Sequence, residues 1–182
     1  MSDGTVSGFG LPMQLGAGEQ IAGLDGVDVV VPSVSMMADT IQSGVNLGSS
    51  SNQIVGTPAG ADRGREQFQV RLTSGRELTA ADEGTDLAVI GSDIARRSGL
   101  GVGDTIELRG HSFAIVGVRE PTMTAPDTTI SVPFSTAQQL LHDDLPPIVR
   151  DQVGAGGLVS GFIVYPTPGA DVETVASEIE VN

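Results

Sequence analysis

Short apolar runs alternate with turns rich in Gly and Pro along the chain, and their spacing separates strands from helices. A run of a few residues dominated by Val, Ile and Leu is typical of a buried strand. Such runs predict strands at residues 27–31, closed by Pro32, and at 53–55, 87–90, 130–132 and 162–165, with a further strand within 33–47. Residues 105–108 and 113–118 alternate around Arg109, Gly110 and His111 and therefore predict a β-hairpin with that turn.

Helix signals fall between these strands, where capping residues and helical spacing coincide. The predicted helices are residues 18–24 before an Asp25-Gly26 turn, residues 94–98 with Ser92 and Asp93 as N-cap residues and Gly99 as the stop, a helix from Ser135 as N-cap to Leu141, and a closing amphipathic helix from Asp171 to Ile179.

The quick succession of short strands and helices predicts the α+β class. Gly 25 and Pro 10 in 182 residues indicate many turns, and only 3% aromatics indicate a core of Val, Ile and Leu. Residues 1–17, rich in Gly and Ser, predict a flexible lead-in; residues 48–51 predict a turn, and residues 61–70 a short helix or an edge element.

The excess of acidic residues limits the partners that the chain can bind. It carries 23 Asp and Glu against nine basic residues, a formal net charge of -14. This charge repels nucleic acid and anionic lipid headgroups. Every basic residue is Arg, because the chain has no Lys. We interpret this composition as the surface of a halophilic protein, in which salt screens the repulsion between acidic groups. The alternative is an acidic surface kept only for solubility.

No catalytic, cofactor-binding or metal-binding residue is predicted. His111 and His142 are the two residues that could act as the base of a Ser-His-Asp triad, but neither accompanies a Gly-x-Ser-x-Gly elbow. His111 falls in the predicted hairpin turn, where a solvated polar residue is expected. His142, Asp143 and Asp144 could contribute to a metal site, yet helical ligands normally lie three or four positions apart, so we predict a solvated helix end.

Phosphate-loop and thiol chemistry have no basis in the sequence. Gly16, Gly18 and Gly23 loosely resemble a phosphate-binding glycine pattern, but they do not follow a strand and the third spacing departs from it. A phosphate loop needs a Lys, and the chain has neither Lys nor Cys. Paired carboxylates are easy to find by chance among 23 acids, so a hydrolase is the least favoured class.

Five motifs from Gly75 to Gln138 resemble, in residue sequence and in order, those of the extracytoplasmic domain of ABC-transporter permeases of the MacB and FtsX type. They are Gly75-Arg76-Glu77-Leu78-Thr79 with Asp82, Leu87-Ala88-Val89-Ile90-Gly91, Leu100-Gly101-Val102-Gly103-Asp104-Thr105-Ile106, Phe113-Ala114-Ile115-Val116-Gly117-Val118, and Val132-Pro133-Phe134-Ser135-Thr136-Ala137-Gln138. Residues 24–27, 54–56 and the closing helix also resemble this family, so the likeness spans about residues 18 to 180.

The resemblance implies two lobes. Residues 18–61 and 134–182 would form a porter-like α/β lobe, and residues 62–133 an inserted β-rich lobe. It also implies an excised piece of a membrane protein, because such permeases carry membrane helices and an ATPase that are missing here. No run of about 18 apolar residues and no signal-peptide pattern is present.

As partners, the resemblance implies a second permease copy or a relative, a separate ATP-binding subunit and an unknown substrate. The implied function is the transmission of ATPase-driven conformational change to the extracytoplasmic side, without enzymatic activity and without a cofactor. The alternative is a free-standing ligand-binding or adhesion module on the cell surface. Lobe motion would place hinges near Gly60 and Pro133, at the predicted lobe boundaries.

Overall fold

The computed structural model describes residues 12–38, 41–42, 45–46, 52–61 and 70–171, together with residues 173, 175, 176 and 179. It confirms the α+β class. The strands are β1 (Met13–Gln14), β2 (Val27–Met37), β3 (Ile41–Gln42), β4 (Val45–Asn46), β5 (Gln53–Gly56), β6 (Leu72–Gly75), β7 (Leu87–Ile90), β8 (Thr105–Leu108), β9 (His111–Arg119), β10 (Thr129–Ser131), β11 (Leu158–Val159) and β12 (Gly161–Pro166). The helices are α1 (Ala17–Ala22), α2 (Ser92–Ser98), α3 (Phe134–Asp143) and α4 (Pro147–Arg150), with single 3-10 turns at Ala80–Asp82, Ala125–Thr128 and Ala155–Gly157.

One mixed sheet of eight strands organises the molecule. Its order is β12-β2-β5-β10-β7-β9-β6, and β8 pairs with β9 beside this path. The pairs β5–β10 and β7–β9 are parallel, and the other pairs are antiparallel. A principal core of mainly aliphatic side chains packs against the sheet and draws on residues from Val34 and Ile54 through Ile90 and Ile130 to Leu140.

Strand β2 is longer than predicted because Pro32 does not end it. Strand β12 pairs with β2 from Val27 to Ser33, while β5 pairs with it only from Val34 onward. At Pro32, the edge of β2 that faces β5 is therefore unpaired. Because proline lacks an N–H, it is tolerated at this edge without the loss of a sheet hydrogen bond. The short pair β3–β4 occupies part of the remaining predicted strand region.

Helix α2 begins earlier than predicted, and its N-cap is Gly91 instead of Ser92 or Asp93. A Cβ at Gly91 would lie 2.3 Å from the carbonyl oxygen of Pro126, so only glycine fits this approach. At the other end, Gly99 has a φ of 72° and ends the helix as predicted.

The predicted hairpin is confirmed as β8–β9, with a correction at its turn. Leu108 pairs with His111, so the turn contains only Arg109 and Gly110, and His111 is the first residue of β9. Both turn residues have positive φ, 50° and 83°, which matches the tight primed turns that join twisted strands.

The chain termini are described in part. Strand β1, which pairs with β11, lies within the predicted lead-in of residues 1–17, and residues 1–11 of that lead-in lie outside the described residues. The described residues after Asp171 are helical, as predicted, and Val175 is buried. The predicted turn at 48–51 and most of the predicted element at 61–70 lie outside the described residues. Over the part that is described, no helix has the length and apolar character needed to cross a membrane.

Candidate coupling interface

The boundary predicted near residue 133 falls inside the continuous sheet. Strand β5, from the flanking part of the chain, pairs in parallel with β10, with Ile54 opposite Ile130. The ladder continues where the Val132 N–H donates to the Val55 carbonyl, 3.0 Å away. We use the name inserted segment for residues 70–133 and coupling interface for its contacts with residues 18–61 and 134–171. The two-lobe division stays a prediction.

The N-terminus of α3 is held by a carboxylate from the inserted segment. Glu83 accepts the Ser135 N–H at 2.9 Å and the Ser135 hydroxyl at 2.6 Å. The Gly84 N–H donates to the Ser135 Oγ, and the Thr136 hydroxyl donates to the Thr85 carbonyl. The N-cap position itself is Pro133, so the prediction of Ser135 as N-cap was wrong. Glu83 satisfies the free N–H groups that a local cap would otherwise bind.

The connector before Glu83 is fixed by a network of motif residues. Asp82 accepts hydrogen bonds from the Arg76 guanidinium at 2.7 and 2.8 Å and from the N–H and hydroxyl of Thr79. These donors, the Arg76 guanidinium first, hold the pKa of Asp82 well below its ordinary range. The carboxylate of Asp82 is therefore ionised at neutral pH, and it fixes the turn that presents Glu83 to α3.

The C-terminal end of α3 is held by the hairpin turn of the inserted segment. Arg109 donates from Nε and Nη2 toward the two carboxylate oxygens of Asp144, which is the C-cap of α3. It also donates from Nη1 to the Met37 carbonyl at the end of β2, 2.7 Å away. One guanidinium thus joins the hairpin to both a strand and a helix of the flanking segments, with a cation at the favourable end of the helix dipole.

Between its ends, α3 packs into the flanking segments. A Cβ at Gly56 would lie 2.3 Å from the Ala137 Cβ, so β5 and α3 approach as closely as glycine allows. Gln138 is buried and donates from Nε2 to the carbonyls of Gly156 and Leu158. Helix α3 is therefore packed on β5 and β11 while both of its ends are held by the inserted segment.

A further contact joins α2 to the start of β5. Asn52 is 2% exposed, and its Oδ1 accepts a hydrogen bond from Nη2 of Arg97 at 2.9 Å. Because a buried amide oxygen is costly without a donor, Arg97 satisfies it and fixes α2 against β5.

The structure brings both histidines of the chain toward one carboxylate. Nε2 of His111 lies 3.9 Å from one oxygen of Asp143, and Nδ1 of His142 lies 3.7 Å from the other. His142 Nε2 is within hydrogen-bond distance of the carbonyls of Val153 and Arg150, which ties down the loop after α3. Thus His142 is partly buried, in contrast to the predicted solvated helix end. Among the described residues, no group of three or more His, Asp and Glu could hold a metal ion.

The glycine pattern near the N-terminus has a packing role. A Cβ at Gly18 would lie 2.6 Å from the ring of Phe162, so α1 can approach β12 only at a glycine. Gly16 and Gly23 are the two caps of α1, a helix of 6 residues. Of the three glycines, Gly18 is the one that the contact of α1 with the sheet requires.

Solved structures with the same fold come from transporter proteins. The chain is similar to the periplasmic region of MacB from Actinobacillus actinomycetemcomitans, with 13% identity, a TM-score of 0.58, and 92% of this chain and 71% of that chain covered. It is similar to the extracellular domain of the noncanonic ABC-type transporter YknZ from Gram-positive bacteria, with 16% identity, a TM-score of 0.59, and coverage of 97% and 83%. A domain of a permease from Porphyromonas gingivalis gives 15% identity, a TM-score of 0.51, and coverage of 92% and 74%.

A family match covers nearly the whole chain. Residues 2–181 match the family described as the MacB-like periplasmic core domain, whereas no curated protein matches the sequence. The predicted family and the predicted extracytoplasmic location are confirmed. The matched family and the matched structures belong to transporters, which favours a transporter domain over a free-standing surface module. This chain belongs to the family of MacB-like periplasmic core domains, as the extracytoplasmic part of an ABC transporter permease.

Proposed function

We propose that this domain transmits ATPase-driven motion of the permease to a substrate or partner outside the cell, and that it does so as one body. Family membership implies membrane parts and an ATP-binding partner that supply the motion. The domain itself needs no catalytic group for this role. A second permease copy or a relative would provide the surface against which it moves.

The observation that carries this proposal is the double attachment of α3. Glu83 holds its first turn and Arg109 holds its C-cap, while Gln138 and the Gly56 contact join it to the flanking segments. A displacement that enters through the flanking segments reaches the inserted segment through the two contacts at the ends of α3. Packed elements with fixed contacts pass on displacement, whereas a soft joint would absorb it.

The continuous sheet supports motion as one body over motion of two lobes. Opening the predicted boundary would break the β5–β10 ladder, including the hydrogen bond from Val132 to Val55. Pro133 is buried next to that bond, whereas Gly60 lies exposed in a turn with a φ of 71°. Hinges at Gly60 and Pro133 stay a prediction, and they would require the sheet to separate at this point.

The test uses the intact permease with its ATP-binding subunit in lipid vesicles. The domain has no Cys; once any Cys in the rest of the permease and in its ATP-binding subunit is replaced by Ser, Ser74→Cys, at an exposed position of β6, accepts a single environment-sensitive dye. We expect ATP to change the dye emission in the otherwise unmodified permease. The double variant Glu83→Ala/Arg109→Ala should hydrolyse ATP at an unchanged rate and lose most of the emission change.

The matched control is Glu107→Ala/Arg96→Ala, which removes the same two residue types at exposed positions away from α3. This control should keep the emission change. An emission change that survives in the Glu83/Arg109 variant, or its absence in the unmodified permease, would overturn the proposal.

A further inference from the structure

Strand β2 passes from one half of the sheet to the other and changes its partner on the way. It pairs with β12 over residues 27–33 and with β5 over residues 34–37. The backbone groups of a strand point alternately to its two edges, so a strand inside a sheet needs a partner on each edge. Among the described strands, the two halves of the sheet are joined at this crossing through the backbone of β2 alone.

The two halves of the sheet carry separate hydrophobic cores. The first core contains Val34 and Ile54, and the second contains Phe162 and Val164, with α1 and the first half of β2 packed against them. Among the described residues, Phe134 at the start of α3 packs against both cores. Units with their own cores are the parts of a protein that open or tilt separately, so the crossing in β2 is a natural joint.

The hydroxyl of Ser160 completes the hydrogen bonding at this joint. Its Oγ accepts the N–H of Ser35 at 2.9 Å and donates to the carbonyl of Ser35 at 3.0 Å. The N–H of Ser160 donates to the carbonyl of Ser33, 2.9 Å away. Ser160 directly precedes β12, and β11 before it pairs with β1. Because a hydroxyl donates and accepts at once, the side chain takes the place of the peptide group that a longer β12 would supply.

From this we infer that Ser160 is a positioning residue that holds the two cores at a fixed angle. Without its hydroxyl, the N–H and the carbonyl of Ser35 lose a partner that spans the joint, while each core keeps its own packing. A second contact across the joint, from Gln138 to the carbonyls of Gly156 and Leu158, lies at β11 and leaves the groups of Ser35 unbonded. The inference concerns the resting domain and does not rest on the transmission of ATPase-driven motion.

Spin labels on the two sides of the joint test this role in the intact permease. The domain has no Cys, and every Cys outside it is replaced by Ser. Gln20→Cys in α1 and Ser74→Cys in β6, both exposed, report the angle between the cores by pulsed electron resonance, without nucleotide and with unlabelled copies in excess. We expect Ser160→Ala to broaden the distribution of distances, and Ser160→Thr, which keeps a hydroxyl, to retain the native distribution. A native distribution in Ser160→Ala would overturn the inference.

Two controls separate the joint from general loss of structure. Ser131→Ala is the matched variant, because Ser131 is also half-buried but its strand pairs with β5 on one side and β7 on the other, and it should leave the distances unchanged. Labels at Ser74→Cys and at Arg96→Cys in α2 both lie on the first core, and their distribution should stay narrow in Ser160→Ala. Broadening of both label pairs would show a loosened fold and would contradict a role at the joint.

Discussion

The Glu83 carboxylate accepts two hydrogen bonds from Ser135, 52 positions further along the chain, and so caps a helix that belongs to another part of the fold. Local sequence signals place the cap of this helix within the helix itself. The actual cap comes from the turn that the Asp82 network fixes, which links the inserted segment to α3.

Loss of this cap should destabilise the domain. We expect Glu83→Ala to lower the free energy of unfolding by about 1 kcal/mol, as substitution of helix N-cap side chains does. Urea denaturation followed by circular dichroism measures the change. Glu107→Ala, which removes an exposed carboxylate in β8, should stay within about 0.5 kcal/mol of the native value. Similar losses in the two variants would mean that Glu83 does not cap α3.

Removal of Arg109 should loosen the hairpin from the rest of the domain. Arg109→Ala loses the bonds to Met37 and Asp144 but keeps an unfavourable φ, so we expect a loss of about 1–3 kcal/mol. Arg96→Ala, at a side chain 73% exposed, is the control and should cost less than about 0.5 kcal/mol. Hydrogen exchange should also accelerate at β8 in the Arg109 variant. Unchanged exchange there would contradict the joining role of Arg109.

Gly91 should tolerate no side chain. The Cβ of Gly91→Ala would lie 2.3 Å from the Pro126 carbonyl oxygen, so α2 and the loop after β9 have to separate. We expect a loss of about 1–3 kcal/mol from this overpacking. Gly101→Ala, where no atom lies within 4 Å, should be nearly neutral. Thermal unfolding of the two variants compares them directly, and equal melting temperatures would refute the close approach.

Acid should destabilise the domain through two buried carboxylates. Burial alone would raise the pKa of Asp127, but hydrogen bonds from Thr122 and Met123 outweigh it, so this pKa lies below its ordinary value, as does that of Asp82. A lowered folded pKa contributes stability above the unfolded pKa, about 4, and the contribution is lost as the pH falls through the folded value. The free energy of unfolding should therefore decrease below about pH 4.

Amide substitution tests this pH dependence. Asp82→Asn and Asp127→Asn should be less stable than the native domain at pH 7 and should lose less stability between pH 5 and pH 2, where these carboxylates bind protons in the unfolded chain before they do in the folded domain. Asp151→Asn, at an exposed position, is the control and should keep the native slope. An acid slope that is identical in all four proteins would rule out this role for Asp82 and Asp127.

Salt should stabilise the domain if its acidic surface is that of a halophilic protein. A net charge of -14 on 182 residues creates self-repulsion that counterions screen. We expect the melting temperature to rise steadily as KCl increases from low to molar concentration. A melting temperature that is indifferent to salt would leave solubility as the reason for the acidic composition.

The sequence predicts those elements whose causes are local. Leu87–Ile90 is an apolar run of strand length, Gly99 ends a helix by its own φ, and Arg109-Gly110 makes a primed turn between alternating strands. Each of these follows from neighbouring residues alone. The motif order added the family, which the comparison confirms.

The rest depends on contacts between distant residues. Local rules predict that a strand ends at Pro32. In the fold, the edge of β2 toward β5 is unpaired at this residue, so the strand continues through it. Glu83 and Arg109 look like ordinary surface charges until the fold brings them to the two ends of α3. The sequence contains only a weak signal for each contact: Glu83 follows the motif of Thr79 and Asp82, and Arg109 lies in the predicted hairpin turn.

Distances within the intact transporter show whether the domain moves as one body. Spin labels at Ser74→Cys in β6 and Gln152→Cys in the flanking segment, both exposed, span the coupling interface of one domain, and pulsed electron resonance measures the distance between them with and without trapped ATP. When doubly labelled permease is diluted with unlabelled copies, the measurement reports only the distance within one domain. When every copy carries the single label at Ser74→Cys, it reports the distance between copies. We expect an unchanged distance within the domain and a changed distance between copies. A nucleotide-dependent change within the domain would contradict motion as one body and would place the moving joint at the coupling interface.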